Sequence, residues 1–171
     1  MSDPQDHVDE ILAQWHHERP DLDVTALGLY GRLFRLVDLS RDMLADGLGT
    51  HGLQRGWFDL LAALRRAGAP YELNPTQLMR ATLLSSSGMT KRLDRMEEAG
   101  LIGRRPDPHD RRGTLVRLTR EGRRVADRAV ETHVANEERL ISPLTAAESR
   151  TLDGLLKKLL VQLEQSDRSS T

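Results

Sequence analysis

The stretch from Asn74 to Gly122 constrains the fold more than any other, because its apolar spacing switches from helical to alternating and back within one short run. Asn74 followed by Pro75 predicts a helix start. The Asn side chain accepts from an orphan amide, Pro at the first helical position has no N–H to leave unsatisfied, and Gln77 stands where a capping box closes. This helix is expected to end near Thr82. Ser85, Ser86 and Ser87 offer N-caps for a second helix, in which Met89, Leu93 and Met96 recur at helical spacing until Gly100 stops it. Leu101 and Ile102 open a short strand, and Leu115, Val116 and Leu118 supply another. Between them Pro106, Asp107, Pro108 and Gly113 punctuate a loop. Two short helices, a hairpin with a charged tip and a new helix start give the order of a winged helix-turn-helix.

In such a module the second helix is the expected reader of DNA, since a helix fits the major groove and its N-terminal residues meet base edges. Its outward residues Ser86, Ser87, Thr90, Lys91 and Arg95 are hydrogen-bond donors or cations. The loop carries Arg104, Arg105, His109, Arg111 and Arg112, and arginine suits both phosphate forks and a narrow minor groove. Either Arg111 or Arg112 is expected to reach the groove. Asp110, beside them, is expected to hold one arginine in a salt bridge that shapes the loop.

Charge is distributed accordingly. Residues 80 to 128 hold 13 Arg and Lys against 7 Asp and Glu, a net +6, while the remainder holds 12 against 19, a net −7. The overall charge of −1 therefore hides a basic module on an acidic body, which predicts salt-sensitive binding of double-stranded DNA. The absence of cysteine excludes thiol redox sensing, disulfides and thiolate metal sites. No apolar run approaches a membrane span and no signal peptide is evident, so a cytoplasmic protein without membrane association is expected.

Outside the basic module the sequence reads as helix. Leu27, Tyr30, Phe34, Val37, Leu44 and Leu48 recur at three- and four-residue steps with Arg41 as the one break. Thr145 and Glu148 form a capping box ahead of a stripe of Leu152, Leu155, Leu156, Leu159, Leu160 and Leu163, and another helix should run from about Glu121 to Leu140. Such stripes are buried either within one subunit or in a shared dimer core. A two-fold dimer suits DNA reading, because it places two recognition helices on half-sites of a pseudo-palindromic operator. The expected fold is mainly α with a small β-hairpin wing, a winged helix-turn-helix lobe on a helical dimerisation core. The chain is read as a single domain over 1–171, with a lobe at 54–120 and its wing at 101–118. Dimerisation helices are expected at 24–48 and 121–165.

The strings SGMTKRLDRMEEAGLI and DPHDRRGTLVRLTREG resemble the MarR family of dimeric transcriptional regulators over roughly residues 24 to 165. The resemblance implies a homodimer bound to promoter palindromes, acting as a repressor, and released when a small anionic or aromatic ligand binds between lobe and dimer core. Residues 4–19 form an additional amphipathic helix with Val8, Ile11, Leu12 and Trp15 on one face, ended by Arg19, Pro20 and Asp21. This extension, with its string AQWHHERPDLD, resembles the subgroup that responds to urate and related purines such as xanthine. Carried over by position, that likeness implies a ligand site of Trp15, Asp59 within WFDLL, and Arg92, with Arg95 and Arg104 as further contributors.

Arg92 also stands out on its own chemistry. It interrupts the row Met89, Leu93, Met96 with a charge that cannot be neutralised. Three readings are open: an ion pair with Asp59, an oxyanionic ligand held jointly with Asp59, or an arginine that covers the core with its stem and keeps its head wet. Trp15 is equally readable as a core anchor. As an enzyme the chain offers little. Its histidines His7, His16, His17, His51, His109 and His133 are scattered, and neither a phosphate-cradling loop nor a paired nucleophile and base is present, so no cofactor is expected. The alternatives kept open are a regulator sensing a phenolic or other organic anion or a metal, a constitutive DNA binder, and a winged helix used only for protein contacts.

Overall fold

The computed structural model describes residues 4–82, 88–108 and 110–169, except for the side chains at 111, 112 and 168. Seven helices and three strands are described: α1 (His7–Glu18), α2 (Thr25–Gly49), α3 (Arg55–Arg66), β1 (Glu72–Leu73), α4 (Pro75–Ala81), α5 (Met89–Glu98), β2 (Ile102–Asp107), β3 (Asp110–Leu118), α6 (Arg120–Ile141) and α7 (Ala146–Ser169). None of these helices is long and apolar enough to cross a membrane.

The core lies in the lobe that α3 runs through. Phe58 and Leu60 to Leu64 are all buried, so α3 is enclosed on most of its circumference, by α4, α5, α6 and β3. Leu60, Leu61, Leu64, Leu78, Met96, Ile102 and Val116 are shut off from solvent and draw every element of the helix-turn-helix into one apolar centre. Each such side chain is worth about 1.5–3 kcal/mol when fully buried. The capping box predicted at Asn74 is formed: Gln77 N–H donates to Asn74 Oδ1 at 2.9 Å, and Asn74 N–H donates to Gln77 Oε1 at 2.9 Å.

The start of α5 differs from expectation. Its N-cap is Gly88 at φ +77°, in the left-handed region that favours glycine, and no side chain caps the first turn. Ser85, Ser86 and Ser87, the expected caps, lie outside the described residues. The hairpin also runs further toward its tip than predicted. Pairing continues from Ile102↔Leu118 to Pro106↔Thr114 and, past an irregularity, to Asp107↔Asp110. Arg104 and Arg105, assigned from sequence to the loop, are therefore strand residues. The sheet is antiparallel in the order β1-β3-β2, and β1 went unforeseen because two residues carry no readable period.

At its far end the lobe is clamped to α6. The Tyr71 ring lies between two guanidiniums, Arg65 at 5.2 Å and Arg123 at 4.7 Å, while Arg65 Nε donates to Asp127 Oδ1 at 2.6 Å. Away from the lobe, α1 folds back along the first half of α2. Val8 meets Gly31, Leu12 meets Gly28, and Arg32 Nε donates to Asp6 Oδ2 at 2.7 Å with a second bond to Asp9. Asp6 also caps α1 in a box with Asp9, a signal present in the sequence and overlooked there. The opposite face of α2 and the whole of α7 are weakly covered: Leu29, Tyr30, Phe34, Leu36, Val37 and Leu39 are exposed, as are Leu155, Leu159, Leu160 and Leu163.

Candidate nucleic-acid interface and effector cavity

Helix α5 is amphipathic. Met89, Leu93 and Met96 are buried in the lobe, and on the opposite side Thr90, Lys91 and Arg95 are exposed. This face projects the hydrogen-bond donors and cations expected of a groove reader. Of the remaining predicted DNA contacts, Ser86 and Ser87 lie outside the described residues, as does His109. Arg111 and Arg112 belong to β3 by their backbone, and their side chains are not described.

The two arginines nearer the base of the wing are engaged by carboxylates. Arg104 Nη1 donates to Asp94 Oδ1 at 2.7 Å and lies 3.3 Å from Glu97 Oε2, while the Arg104 N–H donates to Glu97 Oε1 at 3.0 Å. Asp94 and Glu97 sit on α5, so Arg104 is a strut between the recognition helix and the wing. Arg105 forms a two-pronged pair with Glu72, its Nη2 2.5 Å and its Nε 3.0 Å from the carboxylate oxygens, and that hydrogen bonding holds the Glu72 carboxyl below its usual range. Arg105 thereby ties the wing to β1 instead of facing DNA, a correction to its placement in the basic loop.

A cavity of about 460 Å³ opens between α3, the end of α4 and α6, lined by Phe58, Asp59, Ala62, Arg65, Arg66, Ala81, Thr82, Val130 and His133. Its size and mixed lining suit a small organic molecule. Burial raises the Asp59 carboxyl above the ordinary aspartate range, against the pull of Arg55, His133, Arg66 and Arg92. His133 lies against Phe58 with ring centroids 4.6 Å apart. Its Nε2 is 3.2 Å from Glu137, and its Nδ1 is buried with no hydrogen-bond partner.

Arg92 lies across α3 at Gly56, where an added Cβ would come within 2.9 Å of Arg92 Nε, so glycine there is what admits the guanidinium. Its Nη1 is buried and makes no hydrogen bond among the described residues, and no ion pair joins Arg92 to Asp59. The first of the three readings of Arg92 therefore fails. That nitrogen is also out of solvent although Arg92 as a whole is half-buried, and an unpaired buried donor costs about 1–3 kcal/mol.

The five predicted ligand residues are only partly brought together. Asp59 lines the cavity and Arg92 stands beside the preceding turn of α3, close enough to act on its charge. Arg95 is exposed on α5, Arg104 is held by Asp94 and Glu97, and Trp15 lies on α1, 41% exposed, and does not line the cavity. Sequence reasoning missed Phe58, Arg65, Arg66, Val130 and His133. The first three were recoverable, since Phe58, Asp59, Ala62, Arg65 and Arg66 share one helical face. The face that α6 turns toward α3 is set by packing and had no local signal. Among the described residues no three His, Asp or Glu side chains gather as metal ligands.

Residues 51–113 match the sequence model of the MarR family. The chain is 41% identical over 152 residues to the HTH-type transcriptional regulator PecS of Dickeya dadantii (strain 3937), covering 89% of this chain and 92% of that protein. It is 33% identical over 132 residues to the multiple antibiotic resistance protein MarR of Salmonella typhimurium, covering 76% and 90%. Among solved structures it is similar to a mutant MarR from E. coli complexed with operator DNA, at a TM-score of 0.67 and 28% identity, covering 85% of this chain and 97% of that one. The exposed polar face of α5, the wing braced to it and this likeness along nearly the whole length together establish that the chain belongs to the MarR family of DNA-binding transcription regulators.

Proposed function

We propose that this regulator is a homodimeric repressor that a small planar anion, urate or a related purine such as xanthine, releases from a pseudo-palindromic operator. The observation that carries the reading is the placement of Asp59 and Arg92 on either side of one turn of α3, near each other but not bonded. A half-buried carboxylate lines a cavity between the lobe and α6, and one turn earlier on α3, beside Gly56, a buried guanidinium nitrogen of Arg92 has no hydrogen-bond partner among the described residues. A purine oxyanion bears complementary groups: oxygens to meet Arg92 and the cationic rim of Arg65 and Arg66, and ring N–H groups to donate to Asp59.

In mechanism, the ligand competes for the position of Arg92 and so bears on α5. Because Arg104 bolts α5 to β2, helix and wing move together, and a displacement at Arg92 shifts both DNA-facing elements at once. Coupling of about 1–3 kcal/mol lowers DNA affinity roughly 5- to 150-fold. Dimerisation over residues 24–48 and 121–165 is supported by the exposed apolar faces of α2 and α7, which a monomer would leave wet. The DNA contacts are assigned to Ser86, Ser87, Thr90, Lys91 and Arg95, with Arg111 or Arg112 in the minor groove.

The experiment is a calorimetric titration of the purified protein with urate, xanthine and hypoxanthine, repeated on Arg92→Ala. Binding to the native protein and a loss of at least tenfold in the variant are expected. Equal binding by both would remove Arg92 from the site, and no binding by the native protein would end the purine assignment.

A further inference from the structure

We propose that Tyr71 is the positioning residue that sets the angle between the DNA-reading lobe and α6, and with it the spacing of half-sites that the protein accepts. The inference rests on the dimer reading above and adds which contact fixes its geometry. The ring is gripped from two elements. The guanidinium of Arg65, on α3, stands 5.2 Å from its centroid, and that of Arg123, on α6, stands 4.7 Å away. Two cations this close repel unless an anion joins them. Asp127 supplies it, one helical turn after Arg123, accepting from Arg65 Nε at 2.6 Å and lying 3.9 Å from Arg123 Nε. The backbone is held as firmly. Tyr71 has φ +62°, a left-handed conformation that a bulky residue keeps only where its surroundings compel it. Its carbonyl accepts from the Leu118 N–H at 3.1 Å, and the next residue, Glu72, holds Arg105 on β2. A continuous line of contacts thus leads from α6 through Tyr71 to the wing.

The other contacts between the lobe and α6 fix distance more than angle. The buried residues of the two helices include Ala62 and Ala63 on α3 and Ala126 and Ala129 on α6, whose single methyl groups build none of the tall ridges that lock a crossing angle. The Thr119 hydroxyl, bonded to Gly100 O and Leu101 O, anchors the start of α6 at one point. One anchor leaves a rotation free. The grip on Tyr71 begins at Arg123, a turn further along α6, and supplies the second point that removes it. In a two-fold dimer any rotation at this joint is repeated in the partner, so it counts twice in the separation of the recognition helices.

The chain has no cysteine, so spin labels go only where thiols are placed. Thr76→Cys on α4 and Glu131→Cys on α6, both at exposed positions, report the distance from lobe to α6 within one chain by double electron–electron resonance, in full-length protein diluted with unlabelled chain. Tyr71→Phe keeps both ring faces and should give the native distance distribution. Tyr71→Leu keeps apolar bulk but loses the faces, and should broaden it. Arg123→Met removes the cation from a half-exposed position and should broaden it too, which keeps the test decisive if Tyr71→Leu does not fold. Native-width distributions in the folded variants overturn the proposal. The DNA arm measures affinity for the promoter of the chain's own gene and for copies with one base pair added or removed between the half-sites. The native protein and Tyr71→Phe should prefer the native spacing, and Tyr71→Leu should lose at least threefold of that preference with its salt slope unchanged, since Tyr71 meets no phosphate. Full preference in Tyr71→Leu overturns the proposal. A native protein indifferent to spacing overturns the dimer reading instead, and the distance measurement still decides whether Tyr71 holds the angle.

Discussion

Replacing Gly122 by alanine should dislodge the wing. In an exposed helix the change would stabilise by about 0.5–1 kcal/mol, since glycine loses more chain entropy on folding. At position 122 the added Cβ would lie 1.8 Å from the Leu101 carbonyl oxygen, a backbone atom that no rotamer change can move. A non-bonded C···O contact needs about 3.3 Å, so the start of α6 and the start of β2 must part by roughly 1.5 Å. Two donors hold that junction: the Thr119 hydroxyl, shared between Gly100 O at 2.7 Å and Leu101 O at 3.1 Å, and the Thr119 N–H, which donates to Leu101 O at 3.1 Å. At about 0.5–1.5 kcal/mol each, losing them costs roughly 1–3 kcal/mol, and displacing the buried Leu101 and Ile102 adds about 1–3 kcal/mol of overpacking. Set against the gain of about 0.5–1 kcal/mol, a net destabilisation of about 1–5 kcal/mol follows. Urea unfolding followed by circular dichroism at fixed protein concentration measures it, with Gly49→Ala, where nothing lies within 4 Å, as the near-neutral control. Native or higher stability for Gly122→Ala would refute the close junction and the rigid wing base derived from it.

Arg104→Ala should weaken operator binding several-fold by freeing the wing from α5 while leaving the slope of log affinity against log salt unchanged, whereas Lys91→Ala should lower that slope by about 1 if Lys91 meets a phosphate. Anisotropy titrations over a salt series separate the two, and a reduced slope for Arg104→Ala would make it a DNA contact instead of a strut. Asp59 has a folded-state pKa above its unfolded one, so the native state binds more protons and ionisation costs stability as pH rises through the folded value. Asp59→Asn should therefore be the more stable protein at pH 7, with the gap closing as pH falls and absent below about 3.9; a less stable variant at pH 7 would contradict this. Phe34→Glu, at the centre of the exposed face of α2, should yield monomers near 19.3 kDa in light scattering, and an unchanged dimer would move the interface elsewhere.

The DNA-reading lobe was legible because its cues are local. Asn74, Pro75 and Gln77 act within one helical turn, and the apolar row of Met89, Leu93 and Met96 needs no knowledge of what it packs against. The destination of charges was not legible, because it depends on pairing across the fold. Arg104 and Arg105 read as loop cations until Asp94, Glu97 and Glu72 were brought beside them from other elements. Arg92 lay between these cases. Its misfit in an apolar row was visible locally, but the glycine that admits it, Gly56, precedes it by many residues. The cavity was half legible: the α3 face has helical spacing, and the α6 wall of Val130 and His133 exists only through packing.

The central claim, that reading and sensing share helix α5 through Arg92, is tested most directly by the affinity of the native protein for its own promoter DNA with and without urate, measured beside Arg92→Ala. The account predicts a roughly 5- to 150-fold loss of affinity with urate for the native protein and none for the variant. Native binding that urate, xanthine and hypoxanthine all leave unchanged, or release that survives in Arg92→Ala, would contradict it.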